Sequence, residues 1–259
     1  MQLENLRFVG AAGAELAGLV RRPEGDVVGS ALIAHCFTCG KDIHTTARLA
    51  KALTEAGWLT MTFDFTGLGG SDGDFASTTV GTEVGDLTRA AVALISRNQG
   101  PCLLIGHSLG GAAAVLAAEG LKTVDRLIAI AAPSDVGHVE HLYEDAPVDP
   151  DGAVLASIGG RAFRIGAAFQ DDLDHHDVLS AAKALDVSML VVEAGADQIV
   201  GADETRRLAE AAAADLITVD GADHLFSGQE AAEALAEGVL AWLVATDEPG
   251  ESVGQHASV

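Results

Sequence analysis

The stretch that decides the fold is Cys102-Leu103-Leu104-Ile105-Gly106-His107-Ser108-Leu109-Gly110-Gly111, which runs into an alanine-rich segment at 112–118. Its apolar start predicts a buried strand, and its alanine-rich end predicts a helix. Ser108 lies in the turn between them, where glycine neighbours permit a sharp reversal and close packing of strand against helix. Such a turn raises a serine hydroxyl above a sheet edge, next to a helix N-terminus.

The same Gly-x-Ser-x-Gly pattern also occurs at 69–73 and 250–254, in a chain that contains 30 glycines. Ser71 lies in a loop of glycine and aspartate on which no strand ends, and Ser252 lies in the polar C-terminal stretch. Neither has the strand–turn–helix context that an activated serine requires. Ser108 is therefore the candidate nucleophile.

Short apolar segments alternate with helical ones along most of the chain, which predicts an α/β fold: a mostly parallel, eight-stranded sheet with helices on both faces. The first two strands alternate in polarity across a glycine-rich turn and predict an antiparallel pair. The predicted strands are Leu3–Val9, Glu15–Val20, Ser30–Ala34, Leu59–Phe63, Cys102–Ile105, Arg126–Ala131, Met189–Glu193 and Leu216–Val219. The predicted helices are Thr45–Ala56, Thr82–Ser96, Gly110–Ala118, Asp203–Ala214 and Glu230–Val244.

The alternation lapses over residues 133–179, which contain three prolines, a glycine pair and many aspartates. Connections of this length are uncommon and are often lids. We expect a small lid-like excursion over the carboxyl ends of the strands. Its aromatic residues Tyr143, Phe163 and Phe169 are expected to roof a modest apolar acyl pocket.

In a sheet of this kind, the acid and base that serve a serine nucleophile follow it in the order Asp, His, each just beyond a strand. Asp197 follows the strand that ends at Glu193, and His224 follows the strand that ends at Val219. His224 would take the serine proton and pass it to the leaving group, while Asp197 would hold the imidazole tautomer. The order predicts an α/β-hydrolase fold with Ser108, Asp197 and His224 as the catalytic residues.

Two other aspartates compete for the role of the acid. Asp203 is an alternative to Asp197, although it is better placed as the N-cap of the following helix. Asp223 adjoins His224 in sequence, and its side chain cannot readily bend back to the imidazole. We expect Asp223 to be structural.

Other histidines have simpler interpretations. His107 is expected to pack inside the nucleophile turn. His175 and His176 lie in an aspartate-rich segment that would suit a metal, but a solvated acidic loop is favoured because no ligand spacing matches a known site. No metal and no cofactor are predicted.

The hexapeptide at 35–40 (His-Cys-Phe-Thr-Cys-Gly) leaves the strand Ser30–Ala34, where this fold places its first oxyanion donor. The N–H groups of Phe37 and Leu109 are the predicted donors, and His35 is expected to brace the loop. The pair Cys36 and Cys39 has the spacing of a redox dithiol. Such motifs usually open a helix, whereas Gly-Lys-Asp intervenes here. Reversible oxidation that modulates the loop and simple loop packing both stay open.

Acidic residues outnumber basic ones 38 to 15, which gives a formal charge of −23. Nucleic acids and anionic membranes both require a basic patch, so neither is expected as a partner. No apolar run approaches the roughly 20 residues of a membrane span, and the N-terminus lacks a secretory signal, which predicts a cytoplasmic protein. The acidity fits a salt-adapted host or an acidic, GC-rich genome. The three cysteines are too few for a disulfide framework.

The chain also resembles a known group, the α/β-hydrolases found fused to, or encoded with, OsmC-type peroxidase domains. The resemblance covers residues from about 1 to 245 and implies a serine-hydrolase triad on Ser108, Asp197 and His224. No OsmC-type segment follows here, and the resemblance supplies no substrate. The segments that carry it are 35–42 (HCFTCGKD), 63–69 (FDFTGLG), 105–111 (IGHSLGG), 159–166 (GGRAFRIG) and 220–225 (DGADHL).

These observations predict one hydrolase domain over 1–245 and a disordered tail over 246–259. The predicted function is a serine hydrolase that cleaves small acyl esters or thioesters through an acyl-enzyme on Ser108, as a monomer or homodimer. Acyl transfer or perhydrolysis would use the same triad. A non-catalytic redox-sensing module built on Cys36 and Cys39 is the alternative from another class.

Overall fold

A computed structural model describes residues 1–247 of the chain. The strands are β1 (Gln2–Val9), β2 (Glu15–Arg22), β3 (Gly29–Ala34), β4 (Trp58–Phe63), β5 (Leu103–His107), β6 (Arg126–Ile130), β7 (Val154–Ile158), β8 (Arg161–Ile165), β9 (Ser188–Ala194) and β10 (Asp215–Val219). The α-helices are α1 (His44–Glu55), α2 (Val80–Ile95), α3 (Leu109–Ala118), α4 (Ala167–Leu173), α5 (Val178–Ala184), α6 (Ala202–Ala212) and α7 (Gln229–Asp247).

Eight of these strands form one sheet in the order β1-β2-β4-β3-β5-β6-β9-β10. Strand β2 runs antiparallel to both of its neighbours, and the other pairs are parallel. The predicted eight-stranded, mostly parallel sheet is therefore confirmed. All the parallel strands end at the same edge, so the loops that follow β3, β5, β9 and β10 meet there.

The central strands are mostly apolar because helices cover both faces of the sheet. Successive side chains point to opposite faces: Leu32 and Leu104 pack in one core, Ile33 and Ile105 in the other. The second core includes residues of α1 and α7, whereas residues of α2, α3, α5 and α6 pack in the first. The strand β5 lies in the middle of this arrangement, and Ser108 stands at its end.

The excursion after β6 has more regular structure than its sequence indicated. A 3₁₀ segment, Val136–Leu142, is followed by the β7–β8 hairpin and by α4. Gly159 and Gly160 form the two-residue hairpin turn with φ of +57° and +75°, values that the tight primed turns require. The glycine pair that resembled a loop signal is thus a hairpin turn.

At the other end of the chain, α7 continues to Asp247. The helix thus covers the first two residues of the stretch 246–259 that was predicted as a tail, and Trp242 and Leu243 in its last part are buried in the second core. The rest of the expected tail, 248–259, lies outside the described residues. Within residues 1–247, no helix is both long and apolar enough to cross a bilayer.

A buried acidic pair links the sheet to α2. Asp86 accepts hydrogen bonds from the N–H of Ala11, the N–H of Thr66 and the Thr66 hydroxyl, at 2.7 to 2.9 Å. Glu83 lies one turn before it and is also buried. Burial, together with the charge of Asp86, raises the pKa of Glu83 to about 8.

This pKa predicts that the protein loses stability as the solution becomes alkaline. The contribution of protonated Glu83 is complete below its ordinary pKa of 4.5 and is lost as the pH rises through about 8. We expect Glu83→Gln to be more stable than the wild type at pH 9, by on the order of 1 kcal/mol or more, and similar to it at pH 5. Urea unfolding at the two pH values measures this difference. The exposed Glu237→Gln on α7 should follow the wild type, and the same behaviour from Glu83→Gln would contradict the prediction.

Candidate active site

Ser108 occupies a strained turn between β5 and α3. Its φ of +56° and ψ of −128° lie outside the regions that non-glycine residues normally adopt. The turn closes because residue 106 has no side chain: a Cβ on Gly106 would lie 2.2 Å from the carbonyl oxygen of Gly110. The Ser108 N–H is held by the carbonyl of Ile130 at 2.8 Å. The sequence predicted this strand–turn–helix geometry correctly.

The three residues predicted as a triad lie in hydrogen-bonded order. His224 Nε2 is 2.9 Å from Ser108 Oγ, and His224 Nδ1 is 2.8 Å from Asp197 Oδ2. A carboxylate only accepts hydrogen bonds, so Nδ1 carries the imidazole proton and Nε2 is left to accept the serine proton. This arrangement can increase the nucleophilicity of a serine hydroxyl.

The environment of Asp197 keeps its carboxyl ionised. Burial opposes ionisation, but the hydrogen bond and charge of His224 and two backbone donors outweigh it, and the pKa of Asp197 lies below its ordinary value. The two donors are the N–H groups of Ile199 and Val200, at 2.7 and 3.1 Å from Oδ1. Both carboxylate oxygens are therefore in use.

Two side chains fix the backbone of the loop that carries His224. His107 donates from Nε2 to the His224 carbonyl at 2.7 Å, and the Thr45 hydroxyl donates to the carbonyl of Leu225. Burial, with the neighbouring His224, lowers the pKa of His107 to about 3, so this imidazole stays neutral. His107, expected only to pack in the turn, also holds the histidine loop.

The loop predicted to supply oxyanion donors lies directly against the nucleophile turn. A Cβ on Gly110 would meet the His35 carbonyl oxygen at 2.2 Å, so only glycine permits this contact. The N–H groups of Phe37 and Leu109 donate to no backbone acceptor within residues 1–247. Leu109 is the first residue of α3, where an N–H has no partner in its own helix.

Both of these peptide units have their carbonyl ends held. The Cys36 carbonyl accepts from His35 Nδ1 at 2.9 Å and from the Cys39 N–H at 3.1 Å. The Ser108 carbonyl accepts from the N–H groups of Gly111 and Ala112 at 2.8 and 3.3 Å. Because C=O and N–H point in opposite directions across a trans peptide, fixing each carbonyl also fixes the direction of the next N–H.

His35 is suited to this bracing role by its protonation state. Its Nε2 accepts from the Phe65 N–H at 3.3 Å while its Nδ1 donates to Cys36, which defines the neutral Nδ1–H tautomer. Burial lowers the pKa of His35 to about 4, so the ring remains neutral near pH 7. The expected bracing of the loop by His35 thus has a specific hydrogen bond.

Cys36 and Cys39 form a disulfide within the same loop. Cys36 is buried and Cys39 is partly exposed, and both line the cavity above Ser108. The pair does not begin a helix, as expected, since α1 starts only at His44. The bond closes the turn that also contains the hydrogen bond from the Cys39 N–H to the Cys36 carbonyl.

An ion pair below the loop was not anticipated from the sequence. Asp64, just after β4, accepts from the Lys41 Nζ at 2.7 Å, the Lys41 N–H at 2.6 Å and the Gly70 N–H at 2.8 Å. Burial opposes ionisation of Asp64, but these partners outweigh it and lower the pKa. The position of Asp64 immediately beyond an apolar strand was a usable signal, because side chains there reach the active edge of the sheet.

A cavity of about 640 Å³ opens over Ser108 and His224. Its apolar wall includes Val139 and Leu142 of the 3₁₀ segment and Ile158 of the hairpin. The expected roof of aromatic residues is wrong, because Tyr143, Phe163 and Phe169 are not among the residues that line the cavity.

These aromatic side chains pack behind the cavity wall instead. The ring of Phe169 lies 5.2 Å from that of Phe37, and the ring of Phe163 lies 5.4 Å from that of Phe75. Tyr143 is buried, and its hydroxyl has no hydrogen-bond partner within the described residues. The aromatic side chains therefore support the hairpin and the loop 35–40, called the oxyanion loop below.

The competing acids and the metal alternative have other roles in the structure. Asp203 lies in the first turn of α6 and is not its N-cap, which is Gly201; a carboxylate there still favours the helix dipole. Asp223 accepts from the Ser227 N–H at 2.8 Å, in agreement with a structural role. His176 Nε2 is paired with Asp172 at 2.8 Å.

Comparison with known proteins identifies a family for this chain. Residues 30–163 match the family model described as serine aminopeptidase, S33. The esterase domain of a Rhodothermus marinus protein is 33% identical, with a TM-score of 0.77 over 93% of this chain and 98% of that one. No curated protein sequence matched the chain.

More distant structures share the fold. Est1E from Butyrivibrio proteoclasticus, solved with ferulic acid bound, is 19% identical with a TM-score of 0.75 over 92% of this chain and 98% of its own. A homologue of α/β serine hydrolases from Coxiella burnetii is 21% identical with a TM-score of 0.70, over 94% of this chain and 98% of its own.

The bracing of Phe37 by His35 predicts a loss of reactivity when the imidazole is removed. His35→Ala frees the Cys36 carbonyl, so the Phe37 N–H is no longer held in one direction. We expect the rate at which a fluorophosphonate labels Ser108 to fall about tenfold or more, since losing one donor entirely costs about 10²–10³. His35→Asn, which keeps a donor near the position of Nδ1, should recover part of this rate.

The control is His44→Ala, which removes an exposed histidine from the start of α1. It should label at the wild-type rate. Wild-type labelling of a folded His35→Ala protein would show that the loop does not depend on this hydrogen bond.

Proposed function

Because this chain belongs to the serine aminopeptidase S33 family of α/β serine hydrolases, we propose that it hydrolyses small acyl esters or thioesters through an acyl-enzyme on Ser108. The observation that carries the proposal is the hydrogen-bonded series from Ser108 through His224 to Asp197. This series ends at a cavity with an apolar wall, next to two backbone N–H groups, of Phe37 and Leu109, that have no backbone acceptor within residues 1–247.

In this mechanism, Ser108 Oγ attacks the acyl carbonyl while His224 Nε2 takes the hydroxyl proton. The N–H groups of Phe37 and Leu109 stabilise the negative charge that develops on the carbonyl oxygen. His224 then gives its proton to the leaving alcohol or thiol, which departs and leaves the acyl-enzyme. Water repeats the sequence with His224 as base, which releases the acid and restores Ser108.

The same site would catalyse acyl transfer if an acceptor other than water attacked the acyl-enzyme. Analysis of the reaction product would distinguish the free acid from a transferred acyl group. We propose a small acyl compound as the partner, and neither a nucleic acid nor a membrane. We also propose that the protein is cytoplasmic and acts as a monomer or homodimer. The closer kinship with hydrolases encoded beside OsmC-type domains is also a proposal. It rests on the segments quoted above, such as 35–42 and 159–166.

Substitutions at the three residues test the proposed chemistry. We expect Ser108→Ala and His224→Ala each to lower kcat by several orders of magnitude, with the double variant no slower than either single one, because residues that act as one unit are not additive. Asp197→Asn should cost up to about 10⁴ because it favours the wrong imidazole tautomer. p-Nitrophenyl esters and thioesters of graded acyl length supply the assay.

Asp203→Asn is the matched control for the acid, since its carboxylate belongs to the first turn of α6. It should retain near wild-type kcat. Additive losses at Ser108 and His224, or a severe loss at Asp203 with a mild one at Asp197, would overturn the assignment.

The disulfide favours a second candidate role, in which the redox state of Cys36 and Cys39 modulates the same site. Disulfides in reducing compartments are usually redox-sensing or catalytic. The bond flanks the peptide unit that presents the Phe37 N–H, and Cys39 can be reached by a reductant because it is partly exposed. An external dithiol can reduce the bond between Cys36 and Cys39: it supplies two electrons and two protons and is itself oxidised to a disulfide.

Reduction should lower kcat more than it changes KM, because the position of an oxyanion donor matters most in the transition state. We expect a several-fold fall in the wild type after treatment with dithiothreitol, with recovery on reoxidation. The Cys36→Ala, Cys39→Ala double variant should be insensitive to both treatments. Equal rates for the reduced and oxidised wild type would show that Cys36 and Cys39 serve only loop packing.

A further inference from the structure

One cationic side chain of the cavity has no acidic partner. Arg161, at the start of β8, lines the cavity together with Ser108 and His224. Its Nη1 donates to the Thr38 carbonyl at 3.3 Å, and within residues 1–247 the guanidinium forms no ion pair and no second hydrogen bond. Most of its five N–H donors are therefore available to a ligand.

The other charged groups of the cavity are already paired. Lys41 Nζ lies 2.7 Å from the Asp64 carboxylate and 3.4 Å from that of Asp42. In the part of the chain that the structure describes, Arg161 is thus the cavity cation without an acidic neighbour, in a sequence where acids outnumber bases 38 to 15.

The hairpin holds Arg161 towards the cavity. Arg161 pairs with Ile158 across the β7–β8 register, and directly opposite residues point to the same face of a hairpin. Both line the cavity. The guanidinium also stacks over the ring of Phe163, 5.0 Å from its centroid, which restricts its position.

Resting on the function proposed above, we propose that the substrate of this cavity carries a carboxylate or phosphate group and that Arg161 binds it. A guanidinium matches the two oxygens of such an anion with parallel hydrogen bonds. The apolar wall formed by Val139, Leu142 and Ile158 accommodates the carbon chain, and Arg161 binds the anionic group. The anion belongs either to the far end of the acyl chain or to the leaving group.

Two matched substrate pairs separate these sources. Mono-p-nitrophenyl glutarate and p-nitrophenyl valerate differ by a terminal carboxylate in the acyl part. S-Butyryl-4′-phosphopantetheine and S-butyrylpantetheine differ only by a phosphate in the leaving group. For at least one pair, we expect the wild-type kcat/KM of the anionic member to exceed that of the neutral member by about tenfold, as one charge-assisted bidentate contact allows.

The variants Arg161→Gln, Arg161→Lys and Arg164→Gln identify the residue. Arg161→Gln should abolish the preference, and Arg161→Lys should keep part of it, since an ammonium lacks the planar pair of donors. Arg164 is the matched control because it lies on the same strand but pairs with Asp149 at 2.7 Å and Asp151 at 3.2 Å. Comparing the ratio within each pair cancels any effect of the Thr38 contact on general reactivity.

A ratio that is the same in Arg161→Gln and the wild type for both pairs would overturn the role of Arg161. If the neutral esters are hydrolysed with no preference for an anion, only this inference fails. If neither the neutral nor the anionic members are turned over while Ser108 still reacts with a fluorophosphonate, the proposed hydrolysis fails as well.

Discussion

The geometry of the site depends on one close contact, between Gly110 at the start of α3 and the carbonyl of His35 after β3. A single Cβ at residue 110 would lie 2.2 Å from that oxygen, far inside van der Waals distance. The contact brings two separate loops together, so that the N–H groups of Phe37 and Leu109 flank the same serine. The side chain of His224 reaches Ser108 from a third loop, and proton transfer to it promotes acyl chemistry only if these two N–H groups lie beside the serine.

Free backbone donors in a buried site are unusual, because buried N–H groups are nearly always paired. Within residues 1–247 the N–H groups of Phe37 and Leu109 have no backbone acceptor, and the carbonyls of the same peptide units are each held by two donors, which fixes where these N–H groups point. His35 can act as one of these donors only while it is neutral, and burial keeps it so. The polar groups around Ser108 thus orient the free donors without competing for them, which is the preorganisation that stabilises a developing charge.

The sequence was sufficient to predict the sheet. It also singled out Ser108, Asp197 and His224, which the structure brings into hydrogen-bonded order, because each depends on local signals: an apolar strand, a turn and chain order. The prediction failed for Tyr143, Phe163 and Phe169, since hydrophobicity indicates that a side chain is buried but not whether it lines the cavity or packs behind its wall. Asp203 was predicted as the N-cap of α6, but the N-cap is Gly201, two residues earlier, which places Asp203 inside the first turn. Side-chain partners across the fold leave no local pattern: nothing in the sequence around Lys41 or Arg161 shows that the first is paired with Asp64 and that the second, among the described residues, is not paired with an acid.

The site therefore divides between two kinds of structure. Ser108, Asp197 and His224 follow strands of one rigid sheet, whose cores on both faces fix the ends of those strands. Part of the apolar cavity wall comes from the 3₁₀ segment and the hairpin, which lie outside that sheet. Changes in the hairpin can alter which acyl compounds fit while the hydrogen bonds around Ser108 persist. The helix α4, which follows the hairpin, differs in this respect: its Phe169 packs against Phe37, so a change there would reach the loop that carries a predicted oxyanion donor.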